Sequence, residues 1–261
     1  MQPDSSLVYK TTEEGDLQIH IFNPSDLDPG SPRSAIVFFH GGGWNGGSPG
    51  QFYPHSRYLA SRGMVALSAE YRLRDVHGTA PVECVKDGKS AVRWIRSHAA
   101  DLGIDPARLA AGGGSAGGHV AAAAGTLTAY DEPDEDQSIS SSPDALVLFN
   151  PVYDNGPDGW GYDRVKSYYE SISPFHNITG STPPTIAFFG TEDSLVPVAT
   201  AEAYKARMES AGCRCDLHLY EGQPHAFFNY GKAENEYYTR TVREADRFLA
   251  SLGYLEGPPA L

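Results

Sequence analysis

Arg108-Leu109-Ala110-Ala111-Gly112-Gly113-Gly114-Ser115-Ala116-Gly117-Gly118-His119 is the stretch on which the reading of this chain turns. Residues 108–111 form a short apolar run of the kind buried strands have, and 115–128 is an alanine-rich run of good helix formers. Three glycines separate them. A strand that passes into a helix through so tight a turn leaves one side chain exposed at the corner, and that side chain is Ser115. Gly113 and Gly117 complete a GxSxG spacing, in which the small neighbours leave room around the hydroxyl. Gly112, Gly114 and Gly117 also satisfy GxGxxG, a dinucleotide fingerprint. That reading lacks its acidic residue at the end of the following strand, because Asp131 and Asp134 fall in a loop. Gly88-Lys89-Ser90 resembles the end of a phosphate loop, but Glu83 stands where the leading glycine is required.

A serine hydroxyl is a weak nucleophile until a base removes its proton, so Ser115 needs partners. His40-Gly41-Gly42-Gly43-Trp44 follows the apolar run 35–39, and three consecutive glycines let backbone N–H groups approach a substrate oxygen closely. The Ala116 N–H completes such an oxyanion hole. Gly190-Thr191-Glu192-Asp193 follows the run 185–189 and offers Asp193 as the acid, with Glu192 as the second choice. His225, in Gly222-Gln223-Pro224-His225-Ala226-Phe227, occupies a loop after the last apolar run, whereas His218 falls in a strand and His119 in a helix. The order is therefore serine, acid, histidine. His40 is expected to hydrogen-bond beneath the glycine loop.

Working outward, residues 7–9 and 17–22 read as an opening hairpin. Runs 35–39, 64–69, 108–111, 145–149, 185–189 and 216–220 read as six further strands, and 52–61, 81–98, 115–128, 198–211 and 234–252 as helices. Continuous apolar runs such as Ala-Ile-Val-Phe-Phe describe strands covered on both faces. The alternation predicts an α/β fold, with one domain over 1–261 and a mostly parallel sheet of about eight strands between two helical layers. Residues 130–143, acidic and serine-rich, are expected to be a solvated loop. Residues 151–182 carry Tyr153, Trp160, Tyr162, Tyr168 and Tyr169 and suggest a small lid or substrate wall; Trp44, Tyr153, Trp160 and Tyr162 are the candidate substrate contacts.

The chain has 261 residues, 40% of them apolar, enough for a substantial core. A net charge of −13 leaves no basic stripe for nucleic acid. No run approaches the ~20 apolar residues of a membrane span. The first thirty residues show no secretory signal, which leaves cytoplasmic and leader-cleaved secreted forms both open. Cys84, Cys213 and Cys215 are read as free thiols; with no Cys/His cluster at zinc spacing, neither a metal nor a cofactor is expected. Oligomeric state is not readable.

At the glycine loop, the elbow and the late acid and base, the chain resembles the α/β-hydrolase family, in particular its HGGGW-bearing, hormone-sensitive-lipase-like esterases and related carbohydrate esterases. The resemblance implies Ser115 as nucleophile, His225 as base and then acid, Asp193 as its orienter, and Gly42, Gly43 and Ala116 as oxyanion donors. Glu70-Tyr71-Arg72-Leu73 is similar to the group's DYRL segment, with Arg72 structural. Gly114 replaces the acidic residue usual before the serine, and only about 39 residues precede the glycine loop, so no large cap domain is expected. The strings around Ser115 and His225 look more like esterases that remove acetyl or feruloyl groups from polysaccharides. The expectation is a serine carboxylesterase for short acyl esters, with an acetylated or feruloylated carbohydrate favoured. Aryl-formamidase, prolyl-oligopeptidase-like peptidase and a non-catalytic binding protein on the same scaffold are the alternatives.

Overall fold

The computed structural model describes residues 1–28 and 30–261. Its eight strands are β1 (Ser5–Thr12), β2 (Gly15–Phe22), β3 (Arg33–Phe39), β4 (Val65–Ala69), β5 (Ile104–Gly114), β6 (Ala145–Phe149), β7 (Thr185–Gly190) and β8 (Cys215–Tyr220). They form one sheet in the order β1-β2-β4-β3-β5-β6-β7-β8. β1 and β2 pair antiparallel, β2 joins β4 antiparallel, and the remaining pairs are parallel. The helices are α1 (Tyr53–Ser61), α2 (Arg74–His77), α3 (Pro81–Ser97), α4 (Ala116–Thr126), α5 (Tyr162–Val165), α6 (Tyr169–Ile172), α7 (Val198–Ser210) and α8 (Glu236–Ser251). Among the described residues, no helix is long and apolar enough to cross a membrane.

The period of two along each strand divides the core into two layers. In β3, Ala35, Val37 and Phe39 pack with Val92, Ile95, Val120 and Tyr204 of α3, α4 and α7. Ile36 and Phe38 face the other way, with Leu59 of α1 and Val242 and Phe248 of α8. This is why the apolar runs are continuous rather than alternating. The parallel strands β3, β5, β6, β7 and β8 all end at the same sheet edge, and the loops leaving them converge there.

The acidic segment 130–143 departs from expectation. Asp131 accepts from Lys89 Nζ (2.6 Å) and pairs with Arg93, which also pairs with Glu135. Glu132 pairs with Lys10 (2.9 Å) and Arg72 (3.4 Å). Asp134 and Asp136 alone of the five carboxylates are exposed. The cations that hold the loop sit on β1, α3 and the segment after β4, so a local reading of a charge run does not see them. Beneath the loop, Asp87 is fully buried and accepts from Lys10 Nζ (2.7 Å), Arg72 Nη2 (2.8 Å) and the Arg72 backbone N–H (2.9 Å), which gives Arg72 its structural place.

Candidate active site

Ser115 stands between β5 and α4 with φ 54° and ψ −119°. A non-glycine residue in that region is strained by about 1–3 kcal/mol and has to be held by its surroundings. Three backbone bonds hold it: Ser115 N–H donates to Phe149 O (3.0 Å), and Ser115 O accepts from Val152 N (3.2 Å) and His119 N (3.0 Å). The closeness of the packing explains Gly117. A Cβ there would lie 2.5 Å from the carbonyl carbon of Phe39 and closer still to the oxygens of Phe39 and His40.

His225, in the loop after β8, spans the gap between the other two residues. Its Nε2 is 2.9 Å from Ser115 Oγ and its Nδ1 is 2.7 Å from Asp193 Oδ2. The Asp193 side chain has no solvent exposure, and its Oδ1 accepts from the N–H groups of Leu195 and Val196 (both 2.9 Å). A carboxylate accepts only, so Nδ1 carries the proton and Nε2 presents its lone pair to the serine hydroxyl. Glu192, the second choice, is exposed.

The glycine loop owes its orientation to bonds on the carbonyls that precede the critical N–H groups. In a trans peptide, C=O and N–H point in opposite directions. Gly41 O accepts from His40 Nδ1 (2.8 Å), which turns the Gly42 N–H away from His40. Gly42 has φ 131°, open only to glycine, and its carbonyl accepts from Asn45 N (3.1 Å) and Gly46 N (3.2 Å), which aims the Gly43 N–H the other way. The N–H groups of Gly42, Gly43 and Ala116 have no acceptor among the described residues. His40 lies beneath the loop, stacked on Tyr71 at 4.5 Å, and burial pushes its pKa down to about 4 despite the bond to Gly41.

Several anchors carry no sequence motif. Gln51 Oε1 accepts from Gly41 N (2.6 Å) while its Nε2 donates to Asn229 Oδ1 (2.8 Å), tying the glycine loop to the segment after His225. Arg164 bonds Gly43 O and reaches Asn45 Oδ1 (2.6 Å). Asn150 holds the Ala226 N–H (2.8 Å). Each is a side chain reaching a backbone group on another element, from ten to more than a hundred residues away, and only the three-dimensional structure pairs them.

A cleft of about 440 Å³ opens over Ser115 and His225, walled by the glycine loop, Ser48, Gln51, Trp160 and Leu195. Of the four aromatic residues read as substrate contacts, only Trp160 lines it. Tyr153 is buried and stacked on Tyr204 at 3.6 Å. Trp44 is buried under Trp160, 5.0 Å between ring centroids, and edge-on to His119 at 4.9 Å. Tyr162 packs against Tyr169 outside the cleft. The segment 151–182 is rich in rings because it packs α5 and α6 onto the body of the molecule, with one ring left for the site.

The BD-FAE family model matches residues 19–154, and that of the dienelactone hydrolase family matches 158–252. A thermophilic esterase from Thermogutta terrifontis, solved with propionate bound, is 43% identical with a TM-score of 0.93, covering 97% of this chain and 96% of that one. Esterase LipC of Mycobacterium tuberculosis is 30% identical over 203 residues, 70% of this chain and 50% of its own length. An acetylxylan esterase of Xylanibacter ruminicola is 27% identical over 232 residues, 83% of this chain and 45% of its own. The chain thus spans about half the length of the curated relatives it matches.

Proposed function

Since the chain belongs to the BD-FAE family of α/β-hydrolase serine esterases, we propose that it hydrolyses carboxylic esters of short acyl chains, using Ser115, His225 and Asp193. Ser115 Oγ attacks the ester carbonyl carbon as His225 Nε2 takes its proton. The carbonyl oxygen, now negative, is stabilised by the N–H groups of Gly42, Gly43 and Ala116. The C–O bond to the alcohol then breaks, the alcohol leaving with the proton from Nε2. Water then attacks the acyl carbon as it gives a proton to the same nitrogen, and that proton returns to Ser115 Oγ as its bond to the acyl carbon breaks and the acid leaves. Asp193 keeps the imidazole in the tautomer that can accept and stabilises it once charged.

The observation that carries this reading is the unbroken chain from Ser115 Oγ through His225 to Asp193. The Thermogutta esterase, captured with propionate, with butyrate and phosphorylated by paraoxon, supports short acyl groups and a nucleophile that paraoxon labels. The narrower form of the proposal gives the leaving alcohol as a sugar. It draws on the acetylxylan esterase relative and on the placing of Trp160 at the wall of a cleft that the polar Ser48 and Gln51 also line.

The test is turnover of p-nitrophenyl acetate, butyrate and octanoate beside acetylated xylo-oligosaccharides, with paraoxon labelling followed by mass spectrometry. An adduct on Ser115, preference for acetate or butyrate, and a loss of roughly 10⁴-fold or more in Ser115→Ala are expected. No adduct and no turnover of the short esters would refute the proposal. Short-ester activity with no preference for the sugar esters would remove only the carbohydrate.

A further inference from the structure

β6 ends at Phe149, and the two residues at its exit bind both reacting loops. Phe149 O receives the N–H of Ser115, while Asn150 reaches the histidine loop from the other side. Asn150 is fully buried and has φ 36°, a left-handed backbone that Asn tolerates better than most residues. Its own N–H continues the ladder to Phe188 O (2.7 Å), so its position is set by the sheet. Its Oδ1 accepts from Ala226 N (2.8 Å), and Ala226 is itself left-handed at φ 62°. Because Ala226 can offer only a donor there, the amide has one orientation, which sends Nδ2 toward His225 Nε2 at 3.4 Å.

Building on the esterase reading, we infer that Asn150 is a positioning residue for His225: its carbonyl oxygen clamps the His225–Ala226 backbone, and its NH₂ group keeps Nε2 a proton acceptor facing Ser115. Among the described residues, the polar groups that meet the ring are Asp193 on Nδ1 and the Ser115 hydroxyl and the Asn150 amide on Nε2. Two donors directed at Nε2 favour its lone pair. Once Nε2 is protonated, the amide becomes a donor facing a donor. Asn150 therefore promotes return of the proton to the leaving alcohol and opposes its premature uptake from solvent.

Two substitutions separate the clamp from the amide. Asn150→Gly keeps the left-handed backbone and deletes both contacts; kcat for p-nitrophenyl butyrate and the rate of paraoxon labelling should each fall about 10- to 100-fold, the range set by hydrogen bonds to groups that become charged, with KM within about threefold. Asn150→Asp retains an oxygen for Ala226 and places a second one near Nε2. The acid limb of its kcat/KM profile should move up by about one pH unit, as a carboxylate in contact with a cation requires. A purely structural residue would not move that limb. Wild-type labelling of Ser115 together with an Asn150→Gly rate within threefold, or an unmoved limb in Asn150→Asp, overturns this inference alone. Absence of any adduct on wild-type Ser115 overturns the esterase reading and this one with it.

Discussion

Replacing Gly117 by Ala tests how tightly the oxyanion hole is tied to the fold. The added Cβ would lie 2.5 Å from the Phe39 carbonyl carbon, with two backbone oxygens closer still, whereas real Cβ contacts essentially never fall below 3.0 Å. These neighbours are backbone atoms at the end of β3, so no side chain can swing aside; β3 and the first turn of α4 have to separate by more than half an ångström. Gly42 and Gly43 follow the end of β3, and Ala116 is the first residue of α4. The separation therefore pulls the two halves of the hole apart. A misplacement of 1 Å costs about 10²-fold in rate, and loss of one oxyanion donor about 10²–10³-fold. The expected loss in kcat is about 10- to 100-fold, some 1.4–2.7 kcal/mol of barrier, with KM for p-nitrophenyl butyrate changed by less than about threefold because the cleft walls stay in place. Gly46→Ala is the control, since nothing lies within 4 Å of its added Cβ. Gly117→Ala with kcat within threefold of wild type would refute the reasoning.

Asp87→Ala takes from Arg72 and Lys10 their fully buried partner and leaves them Glu132, with Glu14 also on Arg72; breaking a buried pair costs about 3–5 kcal/mol when the other charge is left alone, so with these partners remaining a loss of about 1–3 kcal/mol is expected, a fall in Tm of roughly 2–6 °C for a chain of this size, and differential scanning calorimetry will show whether it occurs. Trp160→Ala removes the aromatic wall of the cleft and should raise kcat/KM for octanoate relative to butyrate at least threefold, while Tyr153→Phe, beneath the surface, should leave both unchanged; an identical chain-length profile for Trp160→Ala would contradict the first half. Burial holds His40 and His119 at about 4 and His55 at about 3. Their folded values lie below the unfolded ~6.5, so the unfolded chain binds protons first as the pH drops. The stability they supply is complete above ~6.5 and drains away toward pH 3–4, of order 3 kcal/mol for His40 and His119 and of order 5 kcal/mol for His55. The ring nitrogens of His55 have no partner among the described residues, so His55→Phe should flatten the fall in Tm between pH 7 and 4, and an unchanged slope would count against this account.

The residues proposed to react stood out in the sequence because each leaves its mark on its immediate neighbours. A serine at a strained corner needs small residues two positions away on either side, and an oxyanion loop needs glycines; Gly113, Gly117 and Gly41 to Gly43 record those needs locally. Asp193 and His225 follow strand-like apolar runs, and the parallel topology carries all such loop starts to one edge. The aromatic residues were misread for the opposite reason. A ring is equally at home in a cleft or in a core, and nothing near Tyr153 in the sequence shows that it meets Tyr204 at 3.6 Å. The acidic loop failed in the same way, since its partners Lys10, Arg72, Lys89 and Arg93 lie some forty to more than a hundred residues away.

The division between legible and hidden parts also says how the site is built. Backbone geometry places the proposed nucleophile and the proposed oxyanion donors. The orientation of that backbone is then fixed by side chains: His40 on Gly41 O, Gln51 on Gly41 N, Arg164 on Gly43 O, Asn150 on Ala226 N. All four come from elements other than the one they hold, except His40, which holds its own neighbour and was the only one of the four whose role the sequence suggested. Gln51 and Asn150 grip opposite ends of the histidine loop, through Asn229 and Ala226. The loop thus has two fixed points, Ala226 and Asn229, three positions apart. A base held at both ends loses little freedom on reaching the transition state, because its orientation is settled when the protein folds. The same logic predicts unequal failure: loss of Gln51 loosens the glycine loop and the histidine loop together, whereas loss of Asn150 frees the histidine alone. Gln51→Ala combined with Asn150→Gly should therefore cost less than the product of the two single losses in kcat/KM, as expected of residues acting on one shared loop, and strict additivity would mean that the two amides hold separate things.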